Sequence, residues 1–148
     1  MSEESYDSGM AALSAIKGLF PHLEMSLSED DPNLDINMDI PAQPGLDFDI
    51  NLNLQNFDEL HLATGKLWMC WFPCTERENA DNFIGTVSDL IRGNCRIFET
   101  IRGGKTVKAN LQYFVGEEWV SKSNGLMTFR LPSFRRKTYK IVQNGKNS

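Results

Sequence analysis

The sequence predicts an α+β fold: an antiparallel β-sheet of hairpins, one strongly amphipathic helix (about 76–92) and a shorter N-terminal helix. Three observations carry this. Apolar and polar residues alternate strictly in several short runs, the period of a strand with one buried face. Most of these runs are joined by links of a few residues containing Gly, which suit hairpins and are too short for parallel crossovers. One longer stretch, with Phe83, Ile84, Val87, Leu90 and Ile91, instead repeats at helical spacing. At 148 residues, 41% hydrophobic and 24% charged, the chain has the size and composition of one ordinary domain.

Taken in order, residues 1–8 read as an acidic tail. Ala12, Leu13, Ile16, Leu19 and Phe20 then share a helical face, with Ser8 placed to cap the helix and Pro21 to stop it. Residues 26–33 read as a polar linker. The segment 1–33 is therefore expected to be tail, short helix and linker, ahead of a single α+β domain spanning 34–148.

That domain opens with two alternating runs. Leu34, Ile36, Met38 and Ile40 alternate with Asp35, Asn37 and Asp39; Leu46, Phe48, Ile50, Leu52 and Leu54 alternate with Asp47, Asp49, Asn51 and Asn53. A hairpin over 34–54 with Ile40 opposite Leu46 puts every even-numbered residue on one face. It also sets Asp39 against Asp47 and Asn37 against Asp49. Like charges directly opposed destabilise a sheet, so an offset is required: a facing basic surface, a bound cation, or solvation at a sheet edge.

Leu60–Leu62 and Leu67–Phe72 flank a short link at 63–66, a second hairpin. Thr75 with Glu78 makes a capping-box pattern ahead of the long helix, and Gly93 supplies its stop. Cys95–Arg102 and Lys105–Val115 flank Gly103-Gly104. A three-residue loop from Gly103 to Lys105 sets Ile101 opposite Val107 and Ile97 opposite Leu111, leaving Arg96, Arg102 and Lys108 on the other face. Asn124-Gly125 predicts a further turn between Trp119–Val120 and Leu126–Leu131. Thr138–Val142 closes the series as a last strand.

The net charge of -5 conceals a division. Residues 1–66 hold thirteen acids against Lys17 and Lys66, whereas residues 67–148 hold seven acids against thirteen bases. No stretch reaches the roughly 18 apolar residues of a membrane span, and the acidic N-terminus does not suit a secretory signal. Three cysteines, Cys70, Cys74 and Cys95, are odd in number and too few for a disulfide scaffold. A cytoplasmic protein with reduced thiols is expected, with no membrane partner.

Catalytic and metal motifs are present only in fragments. Asp47-Phe-Asp-Ile-Asn-Leu-Asn53 opens like a calcium loop, but Leu52 and Asp58 stand where that loop needs Gly and Glu. A surface calcium site across Asp39, Asp47 and Asp49 is the residual form of that idea. Cys70, Cys74, Cys95 and His61 contain the ligand types of a Cys₃His zinc site without its characteristic spacing. A small enzyme or zinc protein built on Cys70, Cys74 and His61 is accordingly the second alternative. Gly103-Gly104-Lys105-Thr106 ends like a phosphate loop but joins two strands. No cofactor, catalytic residue or metal ligand is assigned.

The favoured expectation is a non-catalytic protein-binding domain of inhibitor, immunity or adaptor type. Its acidic strand face, Asp35, Asp39, Asp47 and Asp49, would meet a protein partner with a basic surface, and strand edges would offer homo-oligomer contacts. The first alternative is single-stranded nucleic acid, bound through the basic and aromatic C-terminal segment with Arg130, Arg135, Arg136 and Lys137, Arg96, Arg102 and Lys108 being the other members of the basic set. Aromatic residues interleave with these bases near the C-terminus, and charge with rings is what such binders use.

Overall fold

The alternating runs and the helical stripe assemble into two antiparallel sheets and two helices in the computed structural model, which describes residues 3–127 and 137–145. The order is α1 (Glu3–Leu19), β1 (Ser26–Ser28), β2 (Ile36–Ile40), β3 (Ile50–Gln55), β4 (Glu59–Thr64) and β5 (Leu67–Trp71). There follow α2 (Arg77–Arg92), β6 (Cys95–Arg102), β7 (Lys105–Val115), β8 (Glu118–Met127) and β9 (Lys137–Val142). Strands β1 to β5 form one sheet in chain order. The second sheet runs β8-β7-β6-β9, so the last strand returns to the edge opposite β8. The fold is α+β with antiparallel pairing throughout.

The first sheet buries one face. Ile36, Met38 and Ile40 of β2, Ile50, Leu52 and Leu54 of β3, Leu60 and Leu62 of β4, and Leu67 of β5 are all buried. Ala12, Leu13 and Ile16 of α1 and Phe83, Val87, Leu90 and Ile91 of α2 complete this core, and α1 lies along α2. Each buried aliphatic side chain contributes about 1.5–3 kcal/mol by leaving water, so this stripe dictates which face of each strand turns inward. Gly9 brings α1 close to the sheet: a Cβ there would meet Leu54 Cδ2 at 2.7 Å.

Several boundaries differ from the sequence expectation. The first helix starts at Glu3, not Ser8, because Ser5 and Gly9 also face the core. The stretch read as linker contributes β1, which pairs with β2. At α2 the N-cap position is Glu76, with no side-chain cap, so Thr75 does not serve. The other end follows expectation: Gly93 adopts φ 76°, and Asn94 N–H donates to Asp89 O at 2.9 Å, a C-cap that only a left-handed residue permits.

The first hairpin keeps its parity but shifts by four residues. Ile40 pairs with Ile50, not Leu46. Pro41 and Pro44 cannot donate to a ladder, Gln43 and Leu46 close a tight turn on each other, and Asp49 Oδ1 accepts from Ala42 N–H at 2.7 Å. Pairing therefore begins only after Asp49.

In the second sheet, Ile97 meets Leu111 as expected, but Gly103-Gly104 is a two-residue turn with Arg102 opposite Lys105. The parity conflict is resolved by a bulge, since Ile101 pairs with Thr106 and Val107 is left over. Asn124-Gly125 makes no turn; β8 runs through it. The turn lies instead at Gly116-Glu117, where both residues have positive φ, as a two-residue hairpin requires.

Candidate functional site

The outer face of the second sheet gathers cations and rings. Alternation from the observed register places Arg96, Phe98, Thr100 and Arg102 of β6 on this face. Beside them lie Lys105, Lys108, Asn110, Gln112 and Phe114 of β7, Trp119 and Ser121 of β8, and Lys137, Tyr139 and Ile141 of β9. The opposite face, with Cys95, Ile97, Ala109 and Leu111, is buried. Among the described residues the outer face carries five bases and no carboxylate.

A line of π contacts crosses it from β8 to β9. Phe114 and Trp119 have ring centroids 5.3 Å apart; the Arg96 guanidinium carbon lies 3.9 Å from the Trp119 centroid and 5.7 Å from that of Phe98. Phe98 then stacks on Tyr139 at 5.1 Å and 28°. Arg96 Nε donates to Gln112 Oε1 at 2.9 Å, which fixes the guanidinium between the two rings. Burial lowers the Arg96 pKa from its ordinary value, yet an arginine remains charged at any physiological pH. The terminal rings are the open ones: Phe114 is 57% and Tyr139 58% exposed.

The outer face of the first sheet is polar and largely satisfied within itself. Gln55 Nε2 donates to Asn53 Oδ1, Asn53 Nδ2 to Asn51 Oδ1, and Asn51 Nδ2 to both Asn37 Oδ1 and Asp39 Oδ1, at 2.7–2.9 Å. Asn37 Nδ2 adds a further bond to Asp39 Oδ2 at 3.0 Å. Every amide dipole points the same way, toward one carboxylate, and bonds in such a chain strengthen one another. The offset that the alternating Asp and Asn residues require is thus internal.

The carboxylates of the predicted acidic face are each engaged in a hydrogen bond. Asp39 sits opposite Asn51 and ends the amide chain. Asp35 lies before β2, and its Oδ2 accepts from Phe57 N–H at 3.1 Å. Asp49 caps Ala42, while Asp47 Oδ2 accepts from Gly145 N–H at 2.8 Å, far along the loop from Asp39's face. Asp47 and Asp49 belong to the connection and not to a strand, although Asp49 and Asp39 still line one open cleft beside Asn51. Of the predicted basic set, Arg96, Arg102, Lys108 and Lys137 share the outer face of the second sheet; Arg130, Arg135 and Arg136 lie outside the described residues.

Glu59, His61 and Cys70 form the one group of metal-ligand types found close together among the described residues, their ligand atoms within 4.8 Å of one another. The hydrogen bonds argue against a metal there. Trp68 Nε1–H donates to His61 Nδ1 at 2.8 Å, so the imidazole proton resides on Nε2, which faces Glu59 Oε1 at 2.9 Å. A metal on Nε2 would push the proton to Nδ1, against an indole donor, whereas a metal-bound histidine wants an acceptor at its other nitrogen.

The same geometry fails as a thiol relay. Cys70 Sγ lies 3.7 Å from Nε2, on the nitrogen that already faces the carboxylate, whereas a relay needs thiol and carboxylate on different nitrogens. Burial and the nearby Glu59 and Asp58 raise the Cys70 pKa, opposite to what a nucleophile requires. Cys74 is elsewhere, its thiol donating to Ser5 O at 3.3 Å beneath α1, and Cys95 is buried in the second sheet.

The ring line was missed in the sequence because its members are spread over residues 96–139. Their common signal is parity, since Arg96, Phe98 and Thr100 alternate with the buried Cys95, Ile97 and Glu99. No family model, curated protein or solved structure matches the chain. No described helix is long and apolar enough to cross a membrane.

Proposed function

We propose that this chain is a non-catalytic binding domain whose working surface is the outer face of the second sheet, and whose ligand is a linear polyanion. One observation carries the reading: Arg96, Arg102, Lys105, Lys108 and Lys137 occupy that face with no described carboxylate among them, in a chain of net charge -5. Local concentration of one sign against an opposite net charge marks a surface built for a charged ligand. An acidic strand face for a basic protein partner is less well supported, since Asp47 and Asp49 are held in loop hydrogen bonds.

Biolayer interferometry against immobilised heparin, from 50 to 200 mM salt, tests the proposal. Binding should weaken steeply with salt as counterions are displaced. The combined variant Arg102→Glu, Lys108→Glu, Lys137→Glu should abolish binding while keeping the circular dichroism spectrum. Absence of binding at 50 mM salt, or retention by the folded triple variant, refutes it.

A further inference from the structure

We infer that the polyanion is single-stranded nucleic acid, with bases stacked on Tyr139 and Phe114 and the phosphate backbone held by the cations at and beyond the Tyr139 end. This rests on the polyanion reading and adds what charge alone does not supply. A surface for a sulfated or carboxylated chain needs cations only. Here one cation, Arg96, is interleaved with four aromatic side chains in one line, the other four bases lie at or beyond its Tyr139 end, and the two most exposed rings of the line stand at its ends.

The spacing suits a chain of nucleotides. Tyr139 lies opposite Thr100, which lies opposite Lys108. Phe114 is six residues further along β7, about 20 Å at about 3.3 Å per residue. Arg96 lies toward the Phe114 end of this path, with Lys108, Arg102, Lys105 and Lys137 toward the Tyr139 end. The inner rings act differently. Trp119 and Phe98 hold the Arg96 guanidinium between them, which keeps that charge in place and leaves Tyr139 and Phe114 for the ligand. A base paired in a duplex cannot lie flat on either ring, so the geometry selects single strands. Every base has a π-face, so such stacking tolerates any sequence.

The test uses the full chain with four probes: fluorescein-labelled eight-nucleotide dT and U strands, a GC-rich hairpin duplex, and a heparin octasaccharide. Fluorescence anisotropy should show both single strands bound more tightly than the duplex. Tyr139→Ala and Phe114→Ala should each weaken single-strand binding roughly 5- to 150-fold, the range for losing one base stack, with heparin binding unchanged. Tyr139→Leu keeps an apolar contact with Phe98 and should lose the same single-strand affinity, which separates stacking from folding. Binding of dT without U, or the reverse, would still support stacking and would identify the sugar that is preferred. If heparin binds and the ring variants leave oligonucleotide affinity intact, the stacking inference falls and the polyanion reading stands. If no probe binds, both fall; equal affinity for duplex and single strand also overturns the inference.

Discussion

Two glycines, one in each helix, isolate the energy of the closest helix–sheet contact. Gly9 of α1 faces the first sheet, and an added Cβ would lie 2.7, 3.0 and 3.2 Å from Leu54 Cδ2, Cδ1 and Cγ. All three atoms belong to one fully buried side chain, fixed between Ile36 and Leu60 in the strand ladder, so rotation of a terminal methyl cannot relieve the overlap. Gly85 of α2 has nothing within 4 Å of its added Cβ. Both substitutions by alanine gain the same helix propensity, about 1 kcal/mol. Gly85→Ala should therefore stabilise by up to that amount, whereas Gly9→Ala also incurs overpacking of about 1–3 kcal/mol. Propensity cancels in the comparison, so Gly9→Ala should lie about 1–3 kcal/mol below Gly85→Ala in urea unfolding monitored by circular dichroism. Thermal melts should separate by about 2–4 °C for each kcal/mol at this chain length. A second cycle adds Leu54→Ala, which removes the clashing atoms; Gly9→Ala should then cost less than in the wild-type background. Equal stability of the two single variants would refute the close approach of α1 to β3.

Asn144 predicts a second weak point: its side chain accepts from Asp47 N–H at 2.8 Å and donates to Gly45 O and Ile91 O. Asn144→Ala should cost about 1–3 kcal/mol for three lost bonds in a partly exposed site; Asn144→Asp should be at least as damaging, because it places a carboxylate at the C-terminus of α2. Trp68→Phe removes the donor to His61 Nδ1 on a 4% exposed imidazole and should cost about 1–3 kcal/mol in chemical denaturation. Alkaline unfolding follows from Cys95, whose pKa burial pushes up to about 12, and from Tyr113, raised first by burial and then by its bond to Asp89. Both groups stay protonated in the fold above the pH at which the unfolded chain releases their protons. The contribution of these two groups is constant below the ordinary thiol range, and stability should decline as pH rises from there toward about 12; a flat profile from the thiol range to about pH 11 contradicts this. Thiol titration of the native chain at mildly alkaline pH should modify Cys70 alone, slowly, with Cys74 and Cys95 reacting only in denaturant.

Parity was legible in the sequence, whereas register was not. Alternation correctly sorts Ile36 to Leu54 into core and solvent faces, because burying the wrong set would forfeit several aliphatic side chains at once. A shift of four residues preserves that sorting, so the pattern cannot distinguish Ile40 opposite Leu46 from Ile40 opposite Ile50. The decision falls to Pro41, Pro44 and the Asp49–Ala42 bond, whose joint effect depends on three-dimensional closure. The bulge at Val107 is a similar case: the parity conflict beside Gly103-Gly104 is visible, but a longer loop and a bulge resolve it equally well on paper. Asn124-Gly125 misleads because turn propensity is local, while pairing of β8 with β7 across that dipeptide is not. The candidate site was half legible, since Arg96, Arg102 and Lys108 fall on one face by alternation alone, while two of the four rings that join them, Trp119 and Tyr139, come from other strands.

The charge division then acquires a spatial meaning. The acidic portion of the chain builds α1 and β1 to β4, and the basic portion builds α2, β5 and the whole second sheet. Asp35, Asp39, Asp47 and Asp49 hold backbone or amide N–H groups in place, so their negative charge accompanies structural work in the first sheet. Among the described residues, Arg96 is the one base of the second sheet's outer face with a side-chain hydrogen bond of this kind. On the proposed reading, the acidic portion should repel an approaching polyanion and the basic face should draw it in. This orients encounter more than it strengthens the final complex. Exposed acids outside the polar network, such as Asp30 and Asp31, test the point: changing both to Asn should raise the association rate for the dT strand at low salt and leave the dissociation rate unaltered. An altered dissociation rate would mean that the two sides of the molecule meet the ligand together.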